Sequence, residues 1–215
     1  SALLSTAVED DTDKMHFNSN YNEGVRLNFN AGRFGMAVGL HDKIYDALGH
    51  DAGGWNNGNY GIEVQAAVMI MPGLEARLGY ARENIDATVT PLGISGASAT
   101  IDDKKIDQLN FWLSYQTGDM TLAFEFNDWD VLGTDGQTYL AMINYMFTSR
   151  FGTTLRYTHE DMDNLWDTNK FSIAPSVAVT ENLKLILEYS FTDFELDGVG
   201  EFDVNALALE GLFTF

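Results

Sequence analysis

The stretch LALEGLFTF, residues 207–215, carries the reading of the fold. Leu207, Leu209, Phe213 and Phe215 fall on one side of an extended chain, with Gly211 in the same row. Ala206, Ala208, Glu210 and Thr214 fall on the other side. That period of two belongs to a strand. Terminal segments of soluble domains usually fray and are polar. An apolar face running on to Phe215 therefore demands an apolar neighbour.

The same alternation recurs along the chain. It marks strands over residues 21–31, 33–41, 59–70, 73–83, 106–116, 119–127, 138–147, 150–158, 169–179, 183–192 and 203–215. In LKLILEYSF, residues 183–191, Leu183, Leu185, Leu187, Tyr189 and Phe191 oppose Lys184, Glu188 and Ser190, with Ile186 interrupting the polar side. In NYGIEVQAAV, residues 59–68, Tyr60, Ile62, Val64, Ala66 and Val68 oppose Glu63 and Gln65. Each segment is about ten residues long, the length a tilted strand needs to cross a bilayer.

Connections alternate as well. Short ones fall at 31–33, 71–73, 116–119, 148–150 and 180–182; long ones fall at 42–58, 84–105, 128–137, 159–168 and 193–202. A soluble sandwich has no reason to gather every long connection at one end. A bacterial transmembrane barrel does, with tight turns on the periplasmic side and long loops outside.

Composition agrees. The 215 residues include 13% aromatics, only three prolines and no cysteine, so neither disulfides nor a thiolate metal site are available. No apolar run is long enough for a transmembrane helix. The net charge of −20 argues against nucleic acid as a partner. Most of the excess acid lies in the long connections and in EDDTDK, residues 9–14, whereas the strands and short turns are nearly balanced. A charge facing lipid costs about 2–4 kcal/mol at the midplane, so the strand charges are expected to face inward.

Together, the strand rhythm, the APSVAVTENLKLILEYSFTD segment (174–193) and the terminal ALEGLFTF resemble a Gram-negative outer-membrane β-barrel porin, most closely the C-terminal portion of OmpL-like porins. The resemblance implies an all-β transmembrane antiparallel up-and-down barrel with long acidic extracellular loops. About 12 strands are expected, 11 of them clear. The twelfth would be SALLSTAV, residues 1–8, within a segment 1–14 made of a short first strand and an acidic loop. One barrel domain spans 1–215, either whole or as part of a larger barrel. Leu207, Leu209, Phe213 and Phe215 match the signal read by the outer-membrane assembly machinery. The implied function is passive diffusion of ions or small hydrophilic solutes.

The faces supply the candidate pore lining. These are Arg26, Asn28 and Arg33; Glu63 and Gln65; Glu75 and Arg77; Asn110, Glu125 and Asn127; Asn144, Arg156, Lys184, Glu188 and Glu210. Rows of base and acid can set a transverse field across a solute path; equally, they can pair across strands and fill the interior. The acidic mouth predicts modest cation preference at low salt. Asp128, Asp130 and Asp135 are metal candidates as hard carboxylates, with calcium the implied ion, although their spacing does not match an EF-hand. A solvated acidic stretch is the simpler account, and no cofactor is otherwise expected. His41–Asp42, His50–Asp51 and His159–Glu160–Asp161 set imidazoles beside carboxylates, as a rim hydrolase would. Neighbouring strand residues face opposite ways, however, and the expectation is a non-enzyme. Trp112, Tyr115, Tyr145, Phe147, Phe151 and Tyr157 read as interface aromatics or wall packing. The expected partners are outer-membrane lipid, lipopolysaccharide, the assembly machinery, solutes or ions, and a second copy in a homo-oligomer. A structural or adhesive barrel with divalent-cation-binding loops is the alternative.

Overall fold

The structure, a computed structural model, describes residues 24–41, 60–89 and 99–214. These residues form eleven strands: β1 (Gly24–Ala31), β2 (Phe34–His41), β3 (Tyr60–Met71), β4 (Leu74–Val89), β5 (Ala99–Thr117), β6 (Met120–Val131), β7 (Thr134–Met146), β8 (Phe151–Met162), β9 (Trp166–Ala178), β10 (Leu183–Leu196) and β11 (Gly200–Phe213). Every strand pairs antiparallel with its sequence neighbour, giving one up-and-down sheet in the order β1 to β11. No helix occurs among the described residues. The proposed first strand at 1–8 and the acidic segment 9–14 lie outside them.

Register fixes the faces. The pairs Arg26↔Gly39, Gly39↔Glu63 and Glu63↔Ala81 carry one row from β1 to β4. Trp112↔Glu125, Glu125↔Leu140 and Arg156↔Ser172 lie in the same set further along. This side holds Glu83, Gln108, Glu125, Asn127, Arg156, Lys170 and Glu188, all buried. The opposite side is exposed and, over the middle of the strands, largely apolar, for example Leu109, Phe124, Ile143, Ile173 and Leu187. A flat single sheet would expose both faces alike. Burial of the polar face with no second layer means that the sheet curls around it, as in a barrel wall.

The exposed face needs lipid. Apolar patches of this extent do not survive in water, and the strands satisfy their backbone groups with each other, as a membrane requires. The two ends of the sheet differ from its middle. Leu27 on β1 and Leu209 on β11 are both 72% exposed, against 39% for Ile173 on β9. Among the described residues, β1 and β11 therefore each present an edge with no neighbouring strand.

Turn chemistry explains the tight end. Gly32 (φ +59°) opens the two-residue turn between β1 and β2, and Gly73 (φ +83°) closes the Pro72–Gly73 turn between β3 and β4; both φ values favour glycine. Thr148 Oγ1 accepts hydrogen bonds from Arg150 N (3.2 Å) and Phe151 N (3.0 Å). Thr180 Oγ1 does the same for Asn182 N (3.2 Å) and Leu183 N (3.0 Å), so TSR and TEN are one turn built twice. Asn182 also fastens the end of β11: Thr214 N donates to its carbonyl (2.9 Å), and its own amide donates to Thr214 O (2.7 Å).

The other end shows where the sequence reading falls short. Residues 128–137 are mostly strand: β6 runs to Val131 and β7 starts at Thr134. Leu132 (φ +59°) and Gly133 (φ +95°) make the two-residue turn between them, with both φ values positive as in a type I′ hairpin. Likewise 159–168 narrows to the three residues between Met162 and Trp166, and 193–202 to the three between Leu196 and Gly200. The strands thus extend past the length a membrane needs. Apart from Asp163 and Asp197, the acidic residues in these stretches sit on paired strands rather than in free loops.

Candidate pore lining

Every candidate lining residue except Arg33 falls on the curled, inward face. In the β1–β4 sector, Arg26 Nη1 lies 3.1 Å from Glu63 Oε1 and its Nη2 donates to Gln65 Oε1 (3.3 Å). Arg26 reaches these β3 residues over β2, which is possible because Gly39 stands between: a Cβ there would collide with Glu63 and His41. Arg77 Nε donates to Glu75 Oε1 (2.5 Å), and its guanidinium sits 5.0 Å from the centre of the Trp112 ring. That stacking suits a delocalised cation on an indole face. Arg33 stands in the β1–β2 turn, exposed, and helps to line a cavity of about 370 Å³ with Arg26, Arg77 and Glu75.

From Gln108 to Asn144, the inward positions of β5–β7 are neutral apart from Glu125. Asn110 Nδ2 donates to Glu125 Oε1 (2.6 Å) and Asn127 Oδ1 (2.8 Å), and Gln108 Nε2 donates to Asn127 Oδ1 (3.0 Å). Asn144 Nδ2 donates to Thr154 Oγ1 (2.8 Å). Further round, Arg156 Nη2 and Glu188 Oε1 meet at 3.1 Å across β9, above Ser172 and Ala174. A long cation spanning a small residue on the middle strand thus occurs at both ends of the wall. Lys184 and Glu210 lie on the inward face near the short-turn end of β10 and β11, with Ile186 opposite Glu210.

Several inward residues lie outside the sequence reading of the lining, Glu83 and Gln108 among them. Trp112, read as an interface aromatic or wall packing, faces inward and is buried beneath Arg77. Lys170 is also inward and buried. The alternation Lys170, Ser172, Ala174, Ser176 carried the signal for Lys170. The period of two that set Asn110 inward carried the signal for Trp112 as well, although tryptophan suits both a lipid interface and an arginine stack.

The outward face is ordered by tyrosines. Tyr80 donates to Asp107 (2.6 Å), Tyr139 to Gln137 (2.9 Å), Tyr157 to Asn169 (2.7 Å) and Tyr189 to Asn205 (2.5 Å). All four hydroxyls point toward the long-connection end, from apolar wall to polar band, as amphipathic rings do at a membrane interface. Tyr145, Phe147 and Phe151 cluster at the other end, with ring centres 5.1 and 5.5 Å apart in sequence.

Above the tyrosines lies the acid. Asp128, Asp130 and Asp135 face outward, not into the enclosed side. Asp128 accepts from Gln137 (3.2 Å), and Asp130 accepts from Gly133 N (2.7 Å) and lies 3.8 Å from Lys105 Nζ. Lys105 also binds Asp107, and that hydrogen bond holds its ammonium above the usual lysine range. Among the described residues, no three His, Cys, Asp or Glu side chains converge on a point where an ion would be held.

The histidines divide between the faces. His41 Nε2 lies 3.2 Å from Glu63 Oε1 on the inward side. His159 faces outward, with Nδ1 3.0 Å from Asn169 Oδ1 and Nε2 3.9 Å from Asp167. Glu160 points inward instead and accepts from Trp166 Nε1 (2.7 Å), so His159 and Glu160 do not meet. Asp42, His50 and Asp51 lie outside the described residues, as does Phe215.

Comparison with solved structures gives the fold an outside reference. OmpT, an outer membrane protein of Vibrio cholerae folded in vitro, superposes with a TM-score of 0.62 at 13% identity, over 88% of this chain and 63% of that one. The fold is that of the outer-membrane β-barrels. A porin refined at 1.8 Å matches with a TM-score of 0.58 at 14% identity, over 88% of this chain and 62% of the porin. A loop-L8 deletion mutant of the Vibrio protein gives 0.58 at 14% identity. The chain thus spans somewhat under two thirds of the length of these proteins. No protein-family model and no curated protein matches its sequence.

Proposed function

We propose that the chain forms the wall of a passive diffusion channel for ions or small hydrophilic solutes in a Gram-negative outer membrane. The observation that carries this reading is the division of one curled sheet into an apolar outward face and an inward face bearing Arg26, Glu63, Glu75, Arg77 and Lys184. Charge on the enclosed side suits a water-filled solute path. The likeness to the solved porin supports the reading, as does the earlier resemblance to OmpL-like porins. Leu207, Leu209 and Phe213 form an outward row on β11, which suits recognition by the assembly machinery. The channel prefers cations modestly at low salt. Conductance of the purified chain in planar bilayers under a salt gradient tests this: discrete steps with a cation-sided reversal potential are expected, and their absence removes the channel.

A second reading has its own observation. Asp161, Asp167, Glu195 and Glu201 lie directly opposite one another in register across β8, β9, β10 and β11. Like charges so placed repel, and a divalent cation such as calcium would relieve them, bridging to lipopolysaccharide phosphates above the tyrosine level. On this reading the barrel is a structural or adhesive element of the outer leaflet.

A further inference from the structure

We propose that the cavity at the short-turn end of β1–β4 binds an oxyanion, the carboxylate or phosphate group of a small solute. This deepens the channel reading, and rests on it for how the solute arrives. The charges around the cavity do not balance. Three guanidiniums line it, from Arg26, Arg33 and Arg77, and Glu75 is the one carboxylate among its walls. Arg26 is held by Glu63 and Arg77 by Glu75. Arg33 has no carboxylate or hydrogen-bond partner for its guanidinium among the described residues, and it is exposed. A planar fork with five donors next to a polar cavity is suited to bidentate recognition of an oxyanion.

Space and field agree with the charge. The cavity of about 370 Å³ falls within the range of small-ligand sites. It stays open because the inward positions of β2 and β3 beside it are small, Gly35, Ala37 and Ala67. The chain's large negative charge does not oppose the anion here. Asp128, Asp130 and Asp135 face outward toward the opposite end of the strands, and Asp128 stands eight residues from Met120, about 26 Å at about 3.3 Å per residue, about three screening lengths at physiological salt.

Titration calorimetry on the detergent-folded chain at low salt, with inorganic phosphate and succinate in separate runs and glucose as the uncharged control, tests the site. Saturable binding of phosphate, succinate or both is expected, with the preferred anion identifying the class of solute, and none for glucose. Arg33→Ala should weaken binding at least about tenfold, the loss expected of a charge-assisted contact, with unchanged heat-modifiable gel mobility. Gln65→Glu, which adds a carboxylate within reach of Arg26, should weaken it as well. Absence of binding by both anions overturns the site, and so does an Arg33→Ala chain that binds like the wild type. Bilayer conductance is read separately: a chain that binds but does not conduct keeps the site and loses the channel, whereas one that conducts without binding loses the site.

Discussion

Arg156 on β8 reaches over β9 to Glu188 on β10, with Nη2 and Oε1 3.1 Å apart and both side chains only 6% exposed. An ion pair so deep in the wall is sensitive to removal of either member. Arg156→Gln takes the directly paired cation from a buried carboxylate, at a cost of about 3–5 kcal/mol. Replacing both by methionine removes the desolvation problem along with the pair, and should restore most of the loss. Urea unfolding midpoints of the folded barrel in detergent check this: the single variant should fall well below the double.

Arg77 should behave differently. It faces the enclosed side, is about a third exposed and stacks on Trp112, so its charge reaches the lumen while that of Arg156 is spent within the wall. Arg77→Glu should shift the reversal potential toward cations at both low and high salt. Neutralising Asp128, Asp130 and Asp135 together should shift it less, and only at low salt, because these acids face outward and act through a screened field. An equal or larger effect of the outward acids would mean that the mouth, not the wall, sets selectivity.

The sequence displayed most of this wall because a strand in a barrel has only two faces, and every charge on it must choose. Arg26, Glu63, Arg77 and Glu188 were readable for that reason, and the interrupting Ile186 proves to be a buried inward residue. Connection lengths were less legible. A strand extension beyond the membrane, such as Asp128–Val131 paired with Thr134–Gln137, has only Trp129 and Val131 as its apolar row, too short a run to stand apart from the turn it enters. The outward direction of Asp128 and Asp130 followed from counting along β6, but it has meaning only once the stretch is known to be paired. Contacts over a middle strand, Arg26 to Glu63 and Arg156 to Glu188, depend on curvature, which no single strand encodes.

Outward and inward positions should differ sharply in tolerance. Leu187 sits in the apolar row of β10, and Leu187→Arg should cost about 2–4 kcal/mol if lipid covers it. Ala206→Arg on β11 puts the same side chain on the inward face and should be tolerated. Refolding yield into lipid vesicles, read by heat-modifiable gel mobility, checks the pair.

Deletion of Phe215 should lower the amount of chain assembled in the outer membrane while leaving the conductance of the assembled fraction unchanged. Its row, Leu207, Leu209 and Phe213, faces outward on β11, where it can be read by the assembly machinery before lipid covers it. Unchanged assembly in cells would remove the terminal signal.

The row Asp161, Asp167, Glu195 and Glu201 makes a last prediction about ions. Each acid stands directly opposite the next, and no lysine or arginine interrupts the row. Monovalent salt screens such repulsion only generally, whereas a divalent cation held between two carboxylates offsets it locally. Millimolar calcium should therefore raise the unfolding midpoint more than sodium chloride of equal ionic strength, and chelation should reverse the gain. Asp167→Asn with Glu195→Gln removes the central charges, so this variant should be more stable than the wild type without calcium and should respond to it weakly. A wild-type midpoint that follows ionic strength alone, whatever the cation, would leave the row a solvated acidic band and count against the divalent-binding reading.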